Sequence, residues 1–216
     1  MKEFAKSVIP NCGMNLLRKL RCLVLTIRFR IFGRKPARLE TSKARARRIR
    51  ENFFEEYCKG QGLDIGYGGD LLAPNCRGWD FEHGDAQFLR KVKDSSFDFV
   101  YSSHLLEHME DPSVALKNWW RVLKPGGYLL LYMPHRELYE KRNTLPSRWN
   151  PSHKHFFLPY RDEPPDTIGL VPLIERSLKN FRIVYVRECS EGHTITDPRI
   201  HSDGEYSIEA VIQKLE

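Results

Sequence analysis

Gly62-Leu63-Asp64-Ile65-Gly66-Tyr67-Gly68-Gly69-Asp70 is the stretch that decides the fold. Its first residues read as a short apolar strand, and the strand runs straight into a glycine-rich turn. A strand that ends in glycines lets the backbone approach a nucleotide-like ligand at the carboxyl edge of an α/β sheet, because a residue without Cβ adopts positive φ and leaves room beside it. Three-glycine loops also serve as plain turns, so the neighbouring segments must agree before a ligand is inferred.

Residues 96–103 form an aromatic and β-branched strand that ends in small polar residues. Asp111-Pro112 opens a helix, with Asp111 as cap and Pro112 at the first position, and Val114, Leu116, Trp119, Trp120 and Leu123 follow along it. Lys124-Pro125-Gly126-Gly127 closes that helix, and residues 128–133 are almost wholly apolar, as suits a strand buried on both faces. Strand, crossover helix, strand defines a parallel α/β sheet. Two more strands, Phe181–Cys189 and residues 206–215, follow a helix around 168–178. Upstream, Thr41 or Ser42 suits the cap of a helix over 43–59, whose Ile49, Phe53, Phe54 and Tyr57 have helical spacing and which Gly60 ends. The expected architecture is α/β: a Rossmann-like, mostly parallel sheet with an antiparallel last strand.

Four blocks in order carry a family resemblance: Leu63-Asp64-Ile65-Gly66-Tyr67-Gly68, Gly84-Asp85-Ala86, the run from Phe97 to the Glu107-His108 pair, and Arg121-Val122-Leu123-Lys124-Pro125-Gly126-Gly127. Together they resemble the class I S-adenosylmethionine-dependent methyltransferases, type 11 like, over residues 60–135. The resemblance is strongest with a bacterial subgroup associated with surface-polysaccharide biosynthesis, whose glycine loop is similar. It implies S-adenosylmethionine as cofactor, with a zwitterionic amino-acid end, a ribose diol and an adenine amine to hold. Asp64 would help hold the ammonium, directly or through water, or else cap a turn. Gly66 and Gly68, with Tyr67 between them, would let the backbone pass the amino-acid part. Asp80 is the acid placed for the ribose hydroxyls, as in dinucleotide sites. Asp85 would accept from the adenine amine near the Ala86 amide, and Ser102 and Ser103 would line the pocket beneath the sulfonium.

The spacing departs from the family. Sixteen positions separate Asp64 from Asp80 and five separate Asp80 from Asp85, with Pro74 in the first gap, where the family normally has a full helix in each interval. A shortened first crossover, a trimmed sheet and an open cofactor edge are therefore expected. A dinucleotide enzyme fits poorly, because Leu71 stands where its third glycine would open a helix.

Methyl transfer is an in-line displacement at a carbon activated by positive sulfur, so the protein positions the acceptor and removes its proton. His104, His108 and His135 stand after strands at the ligand-facing edge and are the candidate bases, with His108 alternatively orienting His104. Trp149-Asn150-Pro151-Ser152-His153-Lys154-His155-Phe156-Phe157 offers ring faces beside polar groups, which suit a sugar and equally suit packing over the sheet. His153 and His155 have metal-like spacing, but no acid or thiol motif accompanies them, and no metal is assigned. The expected function is O-directed methyl transfer to a small-molecule or glycan acceptor. A different class of reading is a non-catalytic methyltransferase-like module that binds S-adenosylmethionine or a partner.

Charge divides the chain. Residues 1–50 hold fifteen Lys and Arg against two acids, Glu3 and Glu40, a local +13, so the remainder is −6 although the whole is +7. A globular part of that sign argues against nucleic acid as its partner. Five scattered cysteines without a CxxC pair suit a reducing cytoplasm, and no apolar run reaches the ~18–20 residues of a membrane span. Leu16, Leu20, Leu23, Val24, Ile27 and Ile31 gather on one helical face, with Arg18, Lys19, Arg21, Arg28 and Arg30 off it. Such a helix over 16–31 is expected to make peripheral contact with an anionic membrane at its inner face, or else to dock its stripe on the domain. Gly33, Pro36 and residues 34–40 read as a linker, which divides the chain into a basic arm, 1–40, and a methyltransferase-like domain, 41–216.

Overall fold

The computed structural model describes residues 39–216; the predicted helical stripe at 16–31 lies outside the described residues. No helix among the described residues is long and apolar enough to cross a membrane.

The chain first forms three short helices, α1 (Glu40–Lys43), α2 (Arg45–Arg50) and α3 (Phe53–Tyr57), where the periodicity predicts one helix over 43–59. The breaks fall at Ala44 and at Asn52, which takes the left-handed conformation at φ 54°. Leu39, not Thr41 or Ser42, precedes the first turn. Ile49 of the expected apolar stripe is 57% exposed, while Arg47 and Arg48 are buried. Their partners explain the inversion. Arg47 donates from Nε to Glu205 Oε1 at 3.0 Å and from Nη1 to Glu209 Oε1 at 2.9 Å, and Arg48 donates from Nε to Glu209 Oε2 at 2.7 Å. Arg48 also lies 4.7 Å over the Tyr132 ring and 5.0 Å over Phe53. A guanidinium is expensive to bury alone, but paired and stacked in this way it fixes the helices against the sheet.

The main sheet contains β1 (Gly62–Ile65), β2 (Cys76–Trp79), β3 (Phe97–Ser103), β4 (Leu123–Pro134), β7 (Phe181–Cys189) and β8 (Ser207–Lys214). Among the described residues their order is β2-β1-β3-β4-β8-β7. The pairs β1/β2, β1/β3 and β3/β4 are parallel, and β8 runs antiparallel to both of its neighbours, as the sequence predicts for the last strand. A small separate parallel pair joins β5 (Phe156–Leu158) to β6 (Thr167–Gly169). Residues 66–75, between β1 and β2, form a loop without helix, and residues 80–96 form turns without a strand. The shortened crossover leaves β2 at the sheet edge, beside the carboxyl end of β1.

The strand period of two sends Leu63 and Ile65 to one face and Asp64 to the other. The first face packs on α4 (Pro112–Val122) and α5 (Leu170–Ser177) through Leu116, Trp119 and Ile174. The second face, with Phe99, Tyr101, Leu130 and Val211, packs under Phe53 and Ala44 of the N-terminal helices. Asp111 caps α4 by accepting from the Ser113 and Val114 amides at 2.9 and 3.1 Å. Asp111→Ala should therefore cost about 1 kcal/mol in denaturant unfolding, the usual worth of such a cap. The Lys124–Gly127 segment does not follow the helix as a separate closing turn. β4 already begins at Leu123, and these residues form an irregularity where its pairing with β3 shifts. Gly127 is required there, because a Cβ would lie 2.5 Å from the Asp98 carbonyl oxygen.

Candidate active site

Three parallel strands deliver their carboxyl ends side by side. Ile65 of β1 is in register with Trp79 of β2 and with Ser102 of β3, so Gly66, Asp80 and Ser103 follow in one row. Gly66 has φ +74°, and a Cβ there would press on the Leu105 side chain at 2.9 Å. Tyr67 turns back over β2, where a Cβ on Gly78 would lie 2.7 Å from its ring. Gly68 and Gly69 also have positive φ, and an added Cβ would meet nothing closer than 3.9 Å. The loop is anchored from outside: Asp70 accepts from the Ser42 amide at 2.9 Å and from its hydroxyl at 2.6 Å, which ties α1 to the glycine turn.

Asp64 is fully buried. Its Oδ2 accepts from the Leu72 amide at 2.8 Å, while Oδ1 has no hydrogen-bond partner among the described residues. Burial pushes this carboxyl up to about 7, against the pull of the Leu72 amide. The Ser102 hydroxyl is likewise buried and unpartnered among the described residues. An unmet carboxyl oxygen of Asp64, at the foot of an open glycine turn, fits a ligand carrying an ammonium group, while Ser102, in register with Ile65, lies on the other face of the sheet. Asp80 is buried, with Oδ1 accepting from the Phe81 amide at 2.9 Å. Asp85 is exposed, and its Oδ1 accepts from the Gln87 amide at 2.7 Å. The Ala86 carbonyl accepts from Trp119 Nε1 at 2.8 Å, which pins the adjoining turn to α4.

A second cluster lies beyond β3. His104 takes φ +46°, a conformation uncommon outside glycine, and its Nε2 is 2.9 Å from the Ser207 hydroxyl. Burial, then the nearby Lys43 charge, holds its imidazole well below the ordinary histidine range. Tyr139 lies 6.4 Å from His104, 5.6 Å from His153, 5.4 Å from His201 and 5.0 Å from Tyr206, ring centre to ring centre. Tyr206 donates to Glu40 Oε1 at 2.5 Å, and Lys43 donates to the same oxygen at 2.8 Å. Glu40, at the end of the charged stretch that reads as a linker, thus belongs to this cluster. Glu107 is completely buried, neither of its oxygens has a hydrogen-bond partner among the described residues, and burial pushes it up to about 8.

The predicted histidines part company here. His104 and His108 flank Glu107, but His135 does not join them. His135 Nδ1 accepts from the Glu137 amide at 3.2 Å, capping the turn at Arg136–Glu140, and its Nε2 faces Glu188 at 3.5 Å. The 149–157 segment divides as well. Phe156 and Phe157 are buried core, His155 Nε2 donates to the Met109 carbonyl at 3.1 Å, and His153 alone of the two histidines reaches the cluster. Its Nδ1 is 2.6 Å from Glu140. Glu40, Glu107, Tyr139, Glu140 and Tyr206 carry no local motif that marks them; the 107-His108 block falls inside the resemblance, and the others come together only through the topology.

Sheet order and glycine turn define an α/β domain whose β1, β2 and β3 end side by side at one carboxyl edge. Residues 62–131 match the family described as a methyltransferase domain. The chain is 28% identical over 111 residues to a Mycolicibacterium smegmatis protein named as an S-adenosylmethionine-dependent methyltransferase, covering 43% of this chain and 42% of that one. It is 35% identical over 82 residues to the ubiquinone/menaquinone biosynthesis C-methyltransferase UbiE of Cellvibrio japonicus, covering 37% and 29%. Among solved structures, an S-adenosylmethionine-dependent methyltransferase from Archaeoglobus fulgidus superposes with a TM-score of 0.50 at 16% identity, covering 81% of this chain and 94% of that one. The chain spans less than half the length of the curated relatives it matches. Residues 62–131 thus carry a methyltransferase domain similar to that of S-adenosylmethionine-dependent methyltransferases, a likeness that implies S-adenosylmethionine as the methyl donor.

Proposed function

We propose that the protein transfers a methyl group from S-adenosylmethionine to a hydroxyl of a sugar or glycan-related small molecule. The observation that carries this reading is the adjacency of two unlike half-sites along one sheet edge. One is the glycine turn with the open Asp64 acceptor; the other is the ring-lined cluster of His104, Tyr139, Tyr206 and Glu40. The sulfonium of the donor supplies a methyl carbon already primed for displacement, so the chain has to orient the acceptor and take its proton. In the first half-site Asp64 holds the ammonium, the 66–69 turn receives the amino-acid part, Asp80 accepts from the ribose, and Asp85 with Ala86 borders the adenine. In the second, ring faces beside hydroxyl and carboxylate groups bind a polyhydroxylated ring, and His104, neutral because it is buried, receives the proton from the acceptor hydroxyl.

Incubation of the full chain with methyl-labelled S-adenosylmethionine and a panel of nucleotide-linked sugars and extracted glycans should yield a labelled methyl ether. Label appearing on carbon, or only on amine acceptors, would overturn the acceptor assignment. Binding of the product S-adenosylhomocysteine without turnover on any acceptor would favour a non-catalytic module.

The basic segment 16–31 acts in this reading as an address for the cytoplasmic face of an anionic membrane. Deletion of residues 1–38 should leave affinity for S-adenosylhomocysteine within about twofold and abolish co-sedimentation with anionic vesicles, since Lys and Arg near such a surface contribute ~1 kcal/mol each. Loss of thermal stability in the truncated chain, with vesicle binding unchanged, would show instead that the stripe packs on the domain.

A further inference from the structure

Glu107 Oε1 is the centre of an arrangement that methyl transfer alone does not require. It lies 3.7 Å from His108 Nε2 and 3.8 Å from His153 Nε2, too far for a hydrogen bond to either. The other nitrogen of each imidazole is already committed. His108 Nδ1 donates to the Ser152 carbonyl at 3.1 Å, and His153 Nδ1 donates to Glu140 Oε1 at 2.6 Å. With both Nδ1 atoms holding their protons, the two Nε2 atoms present lone pairs. Two imidazole nitrogens and the Glu107 carboxyl therefore converge on one point. One atom from each of Glu107, His108 and His153 falls within 4.8 Å of the other two. Glu107 and His153 are buried, while the His108 side chain is 23% exposed and leaves a way in from solvent.

We propose that Glu107, His108 and His153 bind a divalent first-row metal ion, with Zn2+ as the expected occupant. Ligand bonds of about 2.0–2.2 Å in tetrahedral geometry place neighbouring ligand atoms about 3.3–3.6 Å apart, close to the 3.7 and 3.8 Å that separate Glu107 Oε1 from the two imidazole nitrogens. The surroundings are those of a metal site: a carboxylate, Glu140, orients one ligand histidine through Nδ1, and a backbone carbonyl orients the other. Two nitrogens and one oxygen suit Zn2+ ahead of Mg2+ or Ca2+, which prefer all-oxygen shells. Three protein ligands leave at least one position open, and the ring-lined cluster is adjacent, with His104 Nδ1 3.9 Å from the same Glu107 oxygen. An ion there serves as a Lewis acid for an acceptor hydroxyl. That role rests on the proposed methyl transfer to oxygen, whereas occupancy of the site does not.

The test is equilibrium dialysis of the full, chelator-treated chain against Zn2+, with Co2+ as a spectroscopic substitute. One Zn2+ per chain is expected, with visible Co2+ absorption of low-symmetry, four- or five-coordinate type. Glu107→Gln and His153→Ala should each weaken Zn2+ binding at least 100-fold, and His108→Gln, at a partly exposed position, covers the case in which a buried substitution does not fold. S-adenosylhomocysteine binding by each variant is the folding control. Absence of stoichiometric Zn2+ binding by the parent chain, or binding retained in all the variants that fold, overturns the proposal. Intact Zn2+ binding without S-adenosylhomocysteine binding by the parent would leave the metal site standing and count against the cofactor reading alone.

Discussion

Asp64→Asn should weaken S-adenosylhomocysteine binding by about 10- to 100-fold, the usual worth of a hydrogen bond to a charged group, without destabilising the chain. Two effects of opposite sign meet at this residue. In the folded chain without ligand, burial raises the carboxyl to about 7, well above its ordinary 3.8. A raised carboxyl contributes stability that is fully present below the ordinary value and is lost as pH rises through about 7. Asn keeps an acceptor for the Leu72 amide and carries no charge, so its stability relative to the parent should grow between about pH 4 and pH 7 and then level. Binding runs the other way, because an ammonium group pairs with the ionised carboxylate. The parent's affinity should rise between about pH 5.5 and 7.5 while that of the Asn variant stays nearly flat. Titration calorimetry alongside urea unfolding at several pH values separates the two. Equal affinities for parent and variant would reduce Asp64 to a turn cap for Leu72.

The second large effect is structural. Glu209→Ala should lower stability by about 3–5 kcal/mol, the cost of leaving buried guanidinium groups without their partner. Glu209 is 1% exposed and accepts from Arg47, Arg48 and Arg187 as well as from the Tyr185 hydroxyl at 3.0 Å. Burial alone would raise its carboxyl; Arg48 and Arg47 outweigh it and hold the group well below the usual carboxylate range. Its contribution is therefore present above the ordinary glutamate value of 4.5 and is lost as pH falls below it, so parent and variant should converge in acid. Denaturant unfolding at neutral and acid pH reads both the size and the convergence. Because Arg47 and Arg48 carry α2, the same variant should loosen the Ser42–Asp70 tie between α1 and the glycine turn.

Elements whose cause is local were legible in the sequence. The β-branched and aromatic run at Phe97–Ser103, the Asp111 cap with Pro112, and Phe181–Cys189 each follow from their own residues. The shortened crossover was legible too, since the chain between Asp64 and Asp80 with Pro74 inside it is too brief for a strand-to-strand helix. The N-terminal helices depart from the periodicity for a physical reason. Periodicity assigns Arg47 and Arg48 to solvent, but their partners Glu205 and Glu209 lie some 160 positions away, and no local pattern announces an ion pair closed over that distance. The same holds for Glu107, His108 and His153. The His153-x-His155 spacing points to the wrong partner, because the acid that faces His153 arrives from the end of β3, and His155 is spent on the Met109 carbonyl. His135 sits at a strand end as predicted, yet the cap it makes for the Arg136–Glu140 turn directs it away from the other histidines.

The central claim is that the carboxyl edge of β1, β2 and β3 holds S-adenosylmethionine. Calorimetric titration of the full chain with S-adenosylhomocysteine tests it most directly. One site per chain is expected, with an affinity that NAD does not compete away and that falls on Asp64→Asn. No binding by a folded chain, or binding of S-adenosylhomocysteine that NAD displaces, would contradict it.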